Sequence, residues 1–205
     1  MNATLHKADR PIVSRQPPIM KTIVTALLLF LATTLPAADE ARVSIPDVAV
    51  IDQNGQHLHF YSDLVKGRVV VMNFIFTSCT TICSPMGANF AALQHRLGGR
   101  SGVTLISVSI DPATDTPARL KSWSGRFQAG PGWTLVTGNK NDIDRLLRSL
   151  RVYSSSPASH SPIAIIGNDQ DGRWLRVSGL LPPDTMAATI AGLRMPPAKS
   201  GESAK

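Results

Sequence analysis

Two stretches of this chain leave no face free for water. Val69–Phe76 reads VVVMNFIF and Val103–Ile110 reads VTLISVSI, both nearly continuous apolar runs rich in β-branched residues. A strand with one solvated face alternates apolar and polar residues, so an unbroken run of strand length needs cover above and below. Helical patterns in the sequence supply that cover. Ala88–Leu97 has apolar residues at helical spacing and stops at Gly98-Gly99; Thr116-Pro117 opens a second helix to about Phe127; Lys140–Leu150 is amphipathic; and Asp184–Leu193 closes the pattern. Trp133–Val136 reads as a short strand. Two hairpins flank the alternating part: Val48–Ile51 with His57–Phe60 around Asn54-Gly55, expected to be a two-residue turn, and Ile163–Ile166 with Trp174–Val177 around Asp171-Gly172. Alternation of strand and helix predicts an α/β domain with a mixed sheet, spanning residues 43–195 with no internal repeat or interdomain linker. Residues 196–205 form a polar tail expected to be disordered.

Residues 1–38 read as a leader outside that fold. Met20-Lys21 precedes an apolar run, Thr22–Leu35, which ends in Pro36-Ala37-Ala38 before Asp39. A basic flank, an apolar core and small residues ahead of an acid describe a secretory signal cleaved near Ala37 or Ala38. Fourteen residues at ~1.5 Å each reach about 21 Å, short of a ~30 Å hydrocarbon core. The alternative is an uncleaved membrane anchor. Neither cysteine lies near the run, and Met20 is a second candidate start. The formal charge of +7, from 21 Lys and Arg against 14 Asp and Glu, includes Lys7, Arg10, Arg15, Lys21 and Asp9 of the leader. The remaining 17 basic and 13 acidic groups give +4, scattered rather than clustered. Runs such as Arg145–Arg151, with Asp142 and Asp144 ahead of them, read as the solvated face of a helix, and nucleic acid is not an expected partner. The expected address is the periplasm, either free after cleavage or tethered by the N-terminal segment.

The two cysteines lie four positions apart, in Cys79-Thr80-Thr81-Ile82-Cys83, directly after the first buried strand and ahead of a helix. That is the carboxyl end of a strand, where α/β sheets place ligands, and the helix N-terminus lowers thiol pKa. If the first turn is helical, the two sulfurs share a face. Three chemistries fit: a reversible disulfide, a soft metal ion, or both in turn. A purely structural disulfide is the bland alternative, but closing five residues yields only about 2 kcal/mol in the loop model. Among the histidines, His6 lies in the leader, His95 sits beside Arg96 on a helix, and His57 and His59 share one face of a surface strand. His160 sits in the Ser/Pro-rich loop Ser154–Pro162 just before a strand, where a loop can project a side chain toward a neighbouring site. Asp111, Asp115 and Thr116 follow the second buried strand at the same sheet edge, as a charged rim for a partner or as a cap for the helix opening at Thr116-Pro117. Trp123, Trp133 and Trp174 read as packing residues.

From Phe74 to Val152 the chain resembles the Sco/SenC family of copper-binding cytochrome oxidase assembly factors. The matching residues are Phe76-Thr77-Ser78-Cys79 with Cys83 four on, Ser107–Pro112, Asp115-Thr116-Pro117, Trp133-Thr134-Leu135 and Thr137-Gly138. With the flanking hairpins the likeness covers essentially the whole of 43–195. It implies a thioredoxin-like fold with an N-terminal β-hairpin extension, and copper held by Cys79, Cys83 and His160. Two thiolates and an imidazole make a trigonal, soft set suited to Cu(I), whereas zinc usually takes a fourth ligand. Two positions depart from the family. Ser159 stands where Asp commonly precedes the histidine, and Ser84 separates Cys83 from Pro85. Pro162 lies near the place of the cis-proline of thioredoxins.

The resemblance implies a metallochaperone rather than an enzyme, receiving copper and delivering it to the copper-bearing subunit of a respiratory cytochrome c oxidase or to another periplasmic copper or thiol protein. Oxidation of Cys79 and Cys83 to a disulfide would block transfer. The alternative is a thiol–disulfide oxidoreductase that reduces partner cysteines before metal insertion, with Cys79 attacking and Cys83 resolving. The protein is expected to act as a monomer and to touch membrane only through its N-terminal segment.

Overall fold

Strands β3 (Val69–Ile75) and β4 (Val103–Ser109) lie parallel and adjacent at the centre of a seven-stranded sheet in the computed structural model, in register from Val69 opposite Val103 to Ile75 opposite Ser109. The structure describes residues 44–98 and 102–195; the leader with His6, Gly99 and the tail from 196 lie outside them. Strand β5 (Trp133–Thr137) continues the parallel set beside β4. Beyond β5 lies the antiparallel hairpin β1 (Ala49–Asp52) and β2 (His57–His59). On the other side β3 pairs antiparallel with β6 (Ile163–Asn168), itself paired with β7 (Arg173–Ser178). The order is β2-β1-β5-β4-β3-β6-β7, a mixed sheet as the strand and helix pattern requires.

Alternation along β3 divides the core in two. Val70, Met72 and Phe74 face a cluster with Ile106, Val108 and Ile143, Leu146 and Leu147 of helix α3 (Lys140–Ser149). Val71 and Ile75 face the opposite cluster, with Phe90 and Leu93 of α1 (Cys83–Leu97), Leu120 and Trp123 of α2 (Pro117–Gly125), and Met186 and Ile190 of α4 (Pro183–Arg194). Both faces of β3 are therefore covered, as its composition demands. Trp123 and Trp133 meet edge to face at 6.4 Å, and Trp174 is buried on β7. All three tryptophans are packing residues, as expected. On α3, Asp142 pairs with Arg145 at 2.8 Å and Asp144 with Lys140 at 2.5 Å, so its charges serve its own solvated face.

Three local features differ from expectation. The first hairpin turns through three residues, not two: Asp52 N–H donates to Gln56 O, Gly55 N–H donates to Asp52 O, and Gly55 takes φ +84°. Asp52 makes the longer loop favourable, because its carboxylate accepts from the N–H groups of Asn54 and Gln56. A π-helical turn over Phe60–Val65 fills the connection to β3, burying Phe60, Leu64 and Val65. Helix α1 starts at Cys83, five residues before its apolar periodicity becomes visible, because Ser84 and Pro85 occupy a first turn that needs no internal N–H partner. The peptide bond ahead of Pro162 is trans.

Gly87 lies on α1 one turn after Cys83, and a Cβ there would come within 2.6 Å of the Phe127 ring and 2.8 Å of Trp123. Trp123 is buried in the core and cannot retreat freely. Gly→Ala inside a helix normally gains up to ~1 kcal/mol, but overpacking costs about 1–3 kcal/mol. Gly87→Ala is therefore expected to destabilise the fold, read as a lower denaturant midpoint at unchanged slope; an unchanged or higher midpoint would contradict this packing.

Candidate functional site

The chain leaves the sheet after Ile75 and crosses its carboxyl edge as the loop Phe76–Ile82, then enters α1 at Cys83. Cys79 N–H donates to Phe76 O at 3.2 Å, closing the loop beneath Cys79. Cys83 N–H in turn donates to Cys79 Sγ at 3.4 Å. The residue preceding the helix, Ile82, has helical dihedrals and offers no side-chain cap. The sulfur of Cys79 thus stands where a capping oxygen would, aimed at by a free N–H of the first turn. Both cysteines are free thiols and both are buried, Cys83 completely and Cys79 to 8% exposure.

The two thiols are inequivalent. Burial pulls the Cys79 pKa upward, but hydrogen bonds from the Cys83 thiol and from Thr81 and Cys83 N–H groups outweigh it, leaving the pKa below the ordinary thiol value. Cys83 is pushed up to about 12, first by burial and then by donating its proton toward Cys79. One thiol is disposed to ionise because the other keeps its proton.

Asp115 holds this loop from below. It is 1% exposed, and its carboxylate accepts from Thr77 N–H at 3.1 Å, from Thr77 Oγ1 at 2.5 Å and from Ser109 Oγ at 2.7 Å. It is neither a charged rim nor the cap of α2: Thr116 is that cap, its Oγ1 accepting from Arg119 N–H at 3.3 Å. Sequence reasoning missed the role because the bonded residues are 38 positions apart. The one available signal was a buried-strand serine, Ser109, six residues ahead of an acid.

His160 follows a short 3-10 turn, Pro157–Ser159, and is 9% exposed. Its Nδ1 lies 2.8 Å from Pro157 O, and the Phe76 ring meets it edge-on at 5.6 Å. With Nδ1–H donating to that carbonyl, Nε2 carries the lone pair, and Nε2 is buried with no hydrogen-bond partner. The carbonyl of Pro157 orients the imidazole, the task that an adjacent carboxylate would perform in place of Ser159. His160 and Cys79 line one open cleft of ≈ 310 Å³ with Phe76, Ser78, Thr80, Thr81, Ile82 and Ala158. The structure thus joins Cys79 to Cys83 by a hydrogen bond and Cys79 to His160 across a cleft. Among the described residues no three His, Cys, Asp or Glu converge as a closed metal cage. His57 and His59 sit exposed on edge strand β2, four strands from β3, and His95 is exposed near the end of α1.

The family model described as SCO1/SenC matches residues 37–193. A Stutzerimonas stutzeri protein named for copper binding is 32% identical over 151 residues, 65% of this chain and 72% of that protein. The SCO1 protein homolog of Bacillus subtilis is 32% identical over 116 residues, and the match spans 55% of this chain and 59% of that protein. The solved structure of BsSco, described as a member of the Sco family of cytochrome c oxidase assembly proteins with a disulfide switch, superposes with a TM-score of 0.64 at 27% identity. That match covers 77% of this chain and 96% of BsSco. The fold is the thioredoxin-like fold of those proteins.

Two outcomes follow from this geometry. A thiol reagent such as iodoacetamide is expected to modify Cys79 alone at neutral pH, its rate rising through an inflection below the ordinary thiol pKa, with Cys83 silent until strongly alkaline pH. Peptide mapping that found both residues labelled at equal rates would contradict the assigned asymmetry. Asp115→Ala leaves the Thr77 and Ser109 donors unpaired and is expected to cost about 3 kcal/mol in denaturant unfolding, with faster alkylation of Cys83 as the loop loosens.

Proposed function

Because the chain belongs to the SCO1/SenC family, we propose that it is a copper metallochaperone: it takes copper through Cys79, Cys83 and His160 and passes it to a copper site of a respiratory cytochrome c oxidase. One observation carries the ligand assignment. The His160 Nε2 lone pair is buried and unpartnered, on the same cleft as Cys79. A buried polar atom left without a partner costs free energy that an incoming ligand can recover. Two sulfurs and an imidazole are the donors a soft monovalent copper ion prefers. The S. stutzeri relative is named for copper binding and BsSco is described as an oxidase assembly protein, which supports copper as the cargo and the oxidase as the destination.

Loading this site has a specific proton requirement. Cys79 ionises readily, while Cys83 holds its proton at neutral pH, so copper arriving on Cys79 must displace the Cys83 proton to gain its second sulfur. The separation of the cleft into Cys79 and His160 on its walls, with Cys83 behind, suits sequential capture: Cys79 first, then closure by the other two. A cargo site that closes in steps can also open in steps, which is what ligand exchange with an acceptor needs. We assign this role to the unit spanning residues 43–195, and the leader pattern of residues 1–38 supports an address outside the cytoplasmic membrane, in the periplasm.

A second function is favoured by the free, inequivalent thiols: thiol–disulfide exchange with partner cysteines, Cys79 attacking and Cys83 resolving the mixed disulfide. That chemistry has no use for His160. The reduced chain is therefore expected to hold one copper against a mild Cu(I) chelator. Cys79→Ala and Cys83→Ala abolish retention, and His160→Ala makes the copper roughly tenfold easier to strip. Reduced protein that yields all its copper to the chelator would overturn the metallochaperone, and normal retention by His160→Ala would remove the histidine from the ligand set.

A further inference from the structure

Phe76 is the first residue off the central ladder, and it joins the cysteine loop to the histidine. Strand β3 ends at Ile75. Continued alternation would send Phe76 to the face of Phe74, yet its side chain packs against the opposite cluster, the one that holds Ile75, Cys79 and Cys83. It is half-buried there. Its carbonyl accepts from Cys79 N–H at 3.2 Å, and its ring meets the His160 imidazole at 5.6 Å with the planes 77° apart. Phe76, Cys79 and His160 line the same cleft. From its own segment His160 is held through one acceptor: Pro157 O accepts from His160 N–H at 3.3 Å and lies 2.8 Å from Nδ1. An imidazole hinged on one acceptor can still tilt about it. Tilting would carry Nε2 toward water, where its lone pair would find a hydrogen bond. Nε2 nevertheless stays buried and unpartnered. An aromatic ring packed edge to face from another segment removes that freedom.

We propose that Phe76 is a positioning residue for copper: its ring holds the His160 imidazole with Nε2 committed to the cleft before the ion arrives. The proposal rests on His160 as the third ligand. A lone pair already in place spares the incoming ion the cost of ordering it. Because the same residue is bonded through its carbonyl to Cys79, the contact also ties the histidine to the loop that supplies the first sulfur.

One arm of the test needs no copper. Diethyl pyrocarbonate acylates unprotonated imidazole nitrogens, and exposed His57 and His59 of the same chain serve as internal standards. In the reduced wild-type chain, peptide mapping is expected to show His160 modified roughly tenfold more slowly than those two, because a buried group reacts only through local opening. Phe76→Leu keeps an apolar side chain and the backbone bond but loses the ring, and His160 is expected to approach the rate of the standards. Phe76→Tyr keeps the ring and the protection. Cys83 in Phe76→Leu is expected to stay silent to iodoacetamide at neutral pH, since Asp115 still holds the loop. The other arm loads copper. Phe76→Leu is expected to yield it to a mild Cu(I) chelator roughly fivefold more easily than wild type, and Phe76→Leu/His160→Ala no more easily than His160→Ala alone, since both changes act through one ligand. Unchanged protection of His160 in Phe76→Leu would overturn the proposal, and so would additive copper loss in the double variant. A reactive Cys83 in Phe76→Leu would overturn it as well, by making the ring a general support of the loop. Wild-type chain that keeps no copper, yet shows ring-dependent protection of His160, would sink the metallochaperone while upholding the hold of Phe76 on His160, so the two failures are distinct.

Discussion

Burial of β3 on both faces is the constraint from which the rest of the molecule follows. A central strand with Val70, Met72 and Phe74 on one side and Val71 and Ile75 on the other requires a helix layer on each side. Parallel pairing with β4 then demands a crossover, and α1 is that crossover. The turn from β3 into α1 must lie at the carboxyl edge of the sheet, where the backbone leaves its hydrogen-bonded ladder and side chains become available. The cysteine pair sits in that turn. Its place is therefore set by the same apolar surface that stabilises the core.

Within the turn, one sulfur does the work of a helix cap. Cys79 Sγ accepts from Cys83 N–H where Ile82 provides nothing. A partly negative sulfur at this position is favoured by the helix end, and Cys83, buried one turn deeper, is penalised for the same charge. The asymmetry suits either proposed chemistry, since ligand capture and disulfide exchange both need one ready thiol and one held in reserve. Asp115 keeps the arrangement in place by tying the loop at Thr77 to the end of β4 at Ser109. Arg119 reaches the same Thr77 from outside, so the loop is held between a buried acid and an exposed cation.

The strand and helix order was legible because each element carries its period in its own residues. The unbroken apolar runs, the Gly98 stop and the Thr116-Pro117 start are local signals, and the elements lie where those signals put them. Less legible was the start of α1, since Thr81, Ile82 and Ser84 have no helical periodicity and the helix there depends on the sheet edge beneath it. The three-residue turn at Gln53–Gly55 was misjudged because Asn54-Gly55 is also the mark of a two-residue turn, and the deciding group, the Asp52 carboxylate, acts from outside that pair.

For the site, the cysteine spacing and its place after a buried strand were readable from the sequence alone. So was His160 as a loop residue before a strand. The sequence determined which side chains could carry chemistry and, through its apolar runs, at which edge of the sheet they would stand. Only the tertiary structure decided their relations: that Cys79 and His160 share a cleft, that Pro157 O takes the orienting place left by Ser159, and that Asp115 faces inward. The physical reason is distance along the chain. Hydrophobic period and capping act over one or two turns of backbone, whereas the Cys79–His160 cleft and the Asp115–Thr77 bond join residues brought together by the sheet. Pro157 and His160 are only three apart, but the 3-10 turn between them carries no period of its own.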